Sequence, residues 1–312
     1  MFLKNAFKLF VNNINLSLKT MMYRLVVTML SFFAIVAVCK GPLDVIVKSQ
    51  SFSAFLKALQ DTVHAFITGN FTETANIKEC FTALVEFIGA HMSEIRLALV
   101  LVAVILFIRS YLLGICNYVV SYVLNGYMSS ISRLPFLRGI IGTIARSSVF
   151  ELSYTLAKTI VLAIAVAAAV LFIVYTTSFL FIFSFMIGIW IVVLAVSLFL
   201  SFTVTVRPSV GNGKKINESF NFKLDGKTSL SIFASYVFAI IIAVALNVGM
   251  LYSTLGSGLF VSLPATYVFF MAFQLAVFYS ADGRKYFIDY DTIVTPKKLR
   301  NEDDKLLNEV EM

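Results

Sequence analysis

Apolar residues in this chain form long uninterrupted runs. From Thr159 to Val206, and again from Thr228 to Ala281, 48 and 54 residues pass without one Asp, Glu, Lys or Arg. About 20 helical residues cross a hydrocarbon core, so each run predicts two spans with a short turn between them. The first turn is expected near Tyr175 to Ser178, and the second is punctuated by Gly256 and Gly258. Pro264 is expected in the first turn of the last span, where a missing N–H does little harm.

Shorter patterns fill in the rest. In residues 1–20, Leu3, Phe7, Phe10, Ile14 and Leu18 recur at spacings of three and four, with Lys4, Lys8, Asn12, Asn15 and Lys19 off the stripe. That is a basic amphipathic helix, expected to lie along the cytoplasmic face of a membrane. A first span follows over about 21–39, with Arg24 extending its head to the interface and Lys40, Gly41 and Pro42 ending it. Residues 42–94 read as an outer helical hairpin split at Gly69 and Asn70. One arm carries Phe55, Leu59, Val63 and Phe66 on a face, and the other, from Thr74 to Met92, carries Ile77, Phe81, Leu84 and Ile88. A second span is expected over about 96–118, its helix continuing toward Leu124. The four spans of the charge-free runs fall at about 158–176, 179–204, 229–251 and 260–281, with basic loops over 125–158 and 207–227. The expected fold is thus an all-α, polytopic transmembrane bundle. A six-helix membrane domain over 21–281 stands between the amphipathic helix and a charged cytoplasmic tail, 282–312, disordered after Pro296.

Charge distribution orients this plan. The N-terminal segment has four Lys or Arg and no acid, the 125–158 loop four against Glu151, and the 207–227 loop five against Glu218 and Asp225. Residues 40–94 hold four Lys and six acids. Six spans with both termini cytoplasmic put every basic loop inside. Composition agrees, since 59% of the 312 residues are hydrophobic and 13% charged, against roughly 25% charged in soluble domains. The net charge of +8 lies beside apolar runs, where head groups account for it, so nucleic acid is not an expected partner. The apolar segment Leu25 to Cys39 is long for a signal core. Its I-V-A-V-C end departs from a lipoprotein cleavage box at Val38, so it is expected to remain as a helix. Cys39 and Cys80 can pair only if both face an oxidising side; otherwise they and Cys116 are small apolar side chains.

Candidate chemistry is sparse. Arg109 is the clear charge inside a span, ~20 Å along its helix at 1.5 Å per residue. It reads either as a snorkelling anchor for lipid phosphate or as a substrate or ion site. In the fifth span Ser231, Ser235, Ala239, Ala243 and Asn247 share one helix face. The stripe predicts close helix packing with Asn247 bridged to Gln274 of the sixth span, or else a polar path for solute. In the third span Ala163, Ala165, Ala167 and Ala169 predict packing. Leu224 to Thr228 ends like a phosphate-binding loop but has Asn221 where the first glycine belongs. His64 with Asp61 and His91 with Glu94 make single helical turns rather than a metal set. Asn70-Phe71-Thr72 fits a glycosylation triplet. Glu151, at the start of the third span, is a lone carboxylate candidate for lipid head-group chemistry. No catalytic, cofactor-binding or metal residues are expected, and no cofactor.

The order of these elements, with the Pro-initiated basic loop R-P-S-V-G-N-G-K-K-I-N-E-S-F (Arg207 to Phe220), the aromatic exit Y-F-I-D-Y (Tyr286 to Tyr290) and T-P-K-K-L (Thr295 to Leu299), resembles the uncharacterised six-helix integral membrane proteins of low-GC bacteria. It is similar also to the membrane domain attached to some glycerophosphodiester phosphodiesterases. The resemblance implies a bacterial inner-membrane protein without known catalytic residues, and these 312 residues carry no phosphodiesterase domain. The expected role is a non-enzymatic scaffold, accessory or envelope-associated protein of the cell membrane. Its expected company is the lipid bilayer and a membrane-protein partner or a second copy of the chain. The alternative is a small-solute or lipid transporter with Arg109, Asn247 and Gln274 around a cavity.

Overall fold

A computed structural model of the chain describes residues 2–68, 77–175, 181–220 and 224–295. The protein is an all-α polytopic membrane protein, with six helices long and apolar enough to cross a bilayer. In order, the helices are α1 (Phe2–Asn12), α2 (Ile14–Val47), α3 (Gln50–Thr68), α4 (Ile77–Ala90), α5 (Met92–Ser130) and α6 (Phe136–Tyr175). They continue as α7 (Phe181–Phe202), α8 (Val206–Gly211), α9 (Ile216–Phe220), α10 (Gly226–Ser253) and α11 (Leu259–Asp282). A two-stranded hairpin, β1 (Tyr286–Asp289) and β2 (Thr292–Val294), follows.

The helices outrun the expected spans, because charge marks where hydrocarbon ends and not where backbone hydrogen bonding ends. The basic "loop" 125–158 is almost entirely helix, with only 131–135 left as connection. The 207–227 loop contains α8 and α9. Pro42 does not stop the first span but sits inside α2, costing one N–H in a helix that its neighbouring turns sustain. Pro264 falls in the second turn of α11, not the first. The split at Gly69 and Asn70, the glycosylation triplet, the 176–178 turn and the segment after Pro296 lie outside the described residues. Cys39 and Cys80 are free, so the pairing they could have made is not formed.

The chain divides into two compact units. One comprises Thr28–Ser110 and Leu162–Val192. Here α3 and α4 pair through Phe55 and Phe81, with ring centroids 5.9 Å apart, and Phe81 meets Phe185 edge-on at 6.3 Å. Gly188 lets α6 and α7 close together: a Cβ there would stand 3.2 Å from Ile173 and 3.6 Å from Ala169. Ala165 and Ala169 are buried, as the alanine-rich face predicted.

The other unit comprises Met1–Val27, Tyr111–Val161 and Val193–Met312. Its axis is α11, whose Val268 and Ala272 to Val277 are almost wholly buried among α1, α5, α10 and the hairpin. The apolar stripe of α1 docks it only in part. Ala6 and Leu9 are fully buried and Leu3 and Phe10 pack partly buried against the core, while Phe7 stays exposed. Asn5 Nδ2 donates to Tyr286 Oη at 2.8 Å and Asn12 Nδ2 to the Ile288 carbonyl at 2.9 Å. Ala6, Leu9, the two amides and part of the stripe thus fix α1 to the protein, and Phe7, Ile14 and Leu18 remain exposed toward the interface. The start of the tail is correspondingly ordered, as β1 and β2 pair Tyr286 with Val294 and Phe287 with Ile293.

Candidate functional site

An apolar hairpin brings together residues equally far from its turn. α6 ends at Tyr175 and α7 begins at Phe181, so by residue count Glu151 before the charge-free run stands level with Arg207 just after it. At that level α7 ends and Thr203 to Thr205 form a turn. The chain restarts as α8, with Pro208 in its first turn, where a missing N–H is tolerated. The break turns Arg207 inward instead of into solvent.

Arg207 and Glu151 form a buried ion pair, with side chains 5% and 0% exposed. Arg207 Nε donates to Glu151 Oε1 at 2.6 Å and Nη2 to Oε2 at 3.2 Å, a two-pronged geometry that strengthens both bonds. Nη1 donates to Gln274 Oε1 of α11 at 3.2 Å and lies 3.8 Å from Met271 Sδ. Below, the guanidinium carbon stands 4.6 Å from the centre of the Tyr154 ring. Thr203 Oγ1 donates to the Phe199 carbonyl at 2.6 Å, so in the 3.0 Å contact with Tyr154 Oη the phenol is the donor. On α5, Gly114 makes room: a Cβ there would come within 2.5 Å of Glu151 Oε2. One ion pair therefore ties α6, α8 and α11 together, with α5 closed over it.

Positive charge exceeds negative around this pair. Lys158, one helical stretch beyond Glu151, is half-buried and within electrostatic reach of Glu151, Arg207 and Arg24. Arg24 does not extend to the interface as expected. It is 6% exposed, donates to Asn117 Oδ1 and lies 3.5 Å over the Tyr267 ring, because α5 and α11 offer it an acceptor and an aromatic face. Arg207 and Lys158 thus stand within reach of one carboxylate, and Arg24 within reach of Lys158. Hydroxyls of Tyr118, Thr155 and Ser197 are buried without a hydrogen-bond partner among the described residues.

Of the residues expected to share a site, Gln274 is here but Asn247 is not. Ser262 Oγ donates to Asn247 Oδ1 at 2.6 Å, and Asn247 Nδ2 donates to the Ala243 carbonyl at 2.7 Å. The expected bridge to Gln274 is absent because Arg207 takes the Gln274 oxygen, and Ser262 lies nearer the level of Asn247 on antiparallel α11. Ala239 and Ala243 line an apolar cleft of about 550 Å³ with Leu3, Phe7 and Phe269. Ser231, at the start of the same stripe, is exposed. Arg109 belongs to the other unit; it is half-buried, and its Nε has no partner among the described residues. Arg207 was missed because a cation bordering an apolar run reads as a loop charge. The readable signal was its level with Glu151, the one acid among the basic residues of 125–158.

Among the described residues no three His, Cys, Asp or Glu side chains come together. The chain matches no protein-family model, no curated protein and no solved structure.

Proposed function

We propose that this is a non-enzymatic protein of the bacterial cytoplasmic membrane, both termini cytoplasmic, that serves as a scaffold or accessory subunit for another membrane protein. The observation that carries the reading is the first half of α6. A 40-residue helix is ~60 Å long, twice the hydrocarbon thickness of ~30 Å. Even tilted by 40° it stands well clear of the core. Yet that half presents Leu137, Ile141, Val149 and Leu152 to the outside, each more than half exposed. Apolar surface at or beyond the head groups is best covered by a helix of a partner. The self-contained Glu151 and Arg207 pair supports a non-catalytic role, since neither charge is held open for a substrate. The basic segments support the orientation.

Crosslinking in native membranes from positions 141 and 149 tests the idea. A single reproducible membrane-protein partner, lost on Ile141→Glu, is expected; adducts to lipid alone would overturn it. Transport is the second reading, favoured by the cations Arg207 and Lys158 and the unpartnered Tyr118 hydroxyl within reach of Glu151. It requires anion flux in proteoliposomes that disappears on Glu151→Gln while the protein stays folded.

A further inference from the structure

Beside the buried pair, and separate from it, lies a cavity of about 390 Å³ walled by α5, α6 and the end of α8. Tyr118, Tyr122, Gly142, Thr143, Arg146 and Gly211 line it. No acid does. Arg146 makes no ion pair or hydrogen bond among the described residues, and its Nη1 is directed at the Gly213 turn, 4.0 Å from where a Cβ would stand. Gly213 has φ +92°, a conformation that favours glycine. Tyr118 is 1% exposed, yet its hydroxyl has no partner. Tyr118 itself forms part of the cavity wall. Thr143 has already given its proton to the Gly139 carbonyl at 2.7 Å.

A buried phenol without a partner and an exposed guanidinium without one therefore stand in the wall of one cavity that holds no carboxylate. Around Tyr118 the cations Arg146 and Arg207 outnumber the single Glu151, so the local field favours an anion. An oxyanion large enough to take two guanidinium donors and a phenol at once is a phosphate group. We propose that this cavity binds a phosphate, either the head-group phosphate of an anionic phospholipid or the free ion, through Arg146 and the Tyr118 hydroxyl. The cavity shares Ile141 with the exposed face of α6, but Arg146 and Tyr118 do not carry the scaffold reading, so their variants test the site separately.

The test uses the full chain purified in detergent, with phosphatidylglycerol and inorganic phosphate as separate probes and phosphatidylcholine as the neutral comparison. Binding is read by native mass spectrometry and by thermal stabilisation. Phosphatidylglycerol is expected to bind in preference to phosphatidylcholine. Arg146→Gln should weaken it about tenfold or more, and Tyr118→Phe about threefold to tenfold, as for lost charge-assisted bonds. Arg138→Gln, an exposed cation on the same helix outside the cavity, should leave binding within about twofold. Melting of each variant without ligand controls for folding. Stabilisation by inorganic phosphate with the same dependence on Arg146 and Tyr118 would assign the site to the free ion; its absence beside lipid binding would assign it to the head group. Binding of neither probe, or equal losses in Arg138→Gln and Arg146→Gln, would overturn the proposal.

Discussion

Two membrane helices of this protein, α11 and α5, solve opposite problems. In α11, 56% of the most apolar stretch is buried inside the protein; in α5 the share is 11%. Yet α11 is the least apolar of the six spans. Lipid offers nothing to a polar side chain, so a helix facing lipid must be almost wholly hydrocarbon, as Leu97, Val100 and Val104 on α5 are. A helix enclosed by protein can carry Ser262, Thr266 and Gln274, provided neighbours satisfy them. Hydropathy along this chain therefore reports exposure to lipid, and the interior is found where it dips.

The severest way to break that contrast is to remove what satisfies the interior. Arg207→Ala leaves Glu151 buried and unpaired, and is expected to cost about 3–5 kcal/mol. The double variant Glu151→Gln, Arg207→Met removes both charges and should be markedly milder. Equilibrium unfolding in mixed micelles measures each. If the double variant is as damaging as the single one, the pair is not a tie between α6, α8 and α11.

Gly114→Ala approaches the same pair from α5. The added methyl would stand 2.5 Å from Glu151 Oε2, so the carboxylate must move, at about 1–3 kcal/mol. In an Arg207→Met, Glu151→Gln background the penalty should shrink, because the displaced group no longer holds a charge partner. Equal penalties in the two backgrounds would show that the contact is steric alone.

A direct exchange sharpens the comparison further. Ala272→Leu, at a fully buried site of α11, should cost about 1–3 kcal/mol by overpacking. Leu97→Ala, on the exposed face of α5, should stay within about 0.5 kcal/mol. Similar losses at both sites would mean that α5 packs on something in the membrane that hides its face.

The bundle itself was legible because the charge-free runs leave no other solvent than lipid. Their ends were less legible: the periodicity of 125–158 is helical, but its four basic residues and Glu151 disguise it as a loop. The site was half legible. Gln274 stood out as an amide in an uncharged span, whereas Arg207 looked like a border charge until the break at Thr203 to Thr205 turned it inward. Arg24 misled in the same way, since a cation near a helix end fits snorkelling equally well until a partner such as Asn117 is seen. Asn247 found Ser262 because hydrogen-bond partners across two helices are chosen by level, which residue type alone does not disclose.

The smallest expected effect concerns what covers α11. Tyr286→Phe deletes the phenol that accepts from Asn5 and leaves a buried amide without its partner, a loss of about 1 kcal/mol. The same phenol gives the cover a pH dependence. Burial raises the Tyr286 pKa above its ordinary value, and the bond from Asn5 offsets part of that rise. A pKa higher in the folded state means the neutral phenol is favoured there. Its contribution is therefore complete below about pH 10, the ordinary tyrosine value, and declines as pH rises from there through the folded value. Other tyrosines titrate in this range, so the informative quantity is the difference between the native chain and Tyr286→Phe. That difference should be constant from about pH 8 to about pH 9.5 and should narrow above it, followed by protease nicking within 284–294. A difference that stays constant to pH values well above about 10 would mean that Tyr286 reaches water freely and that the hairpin does not seal the buried end of α11.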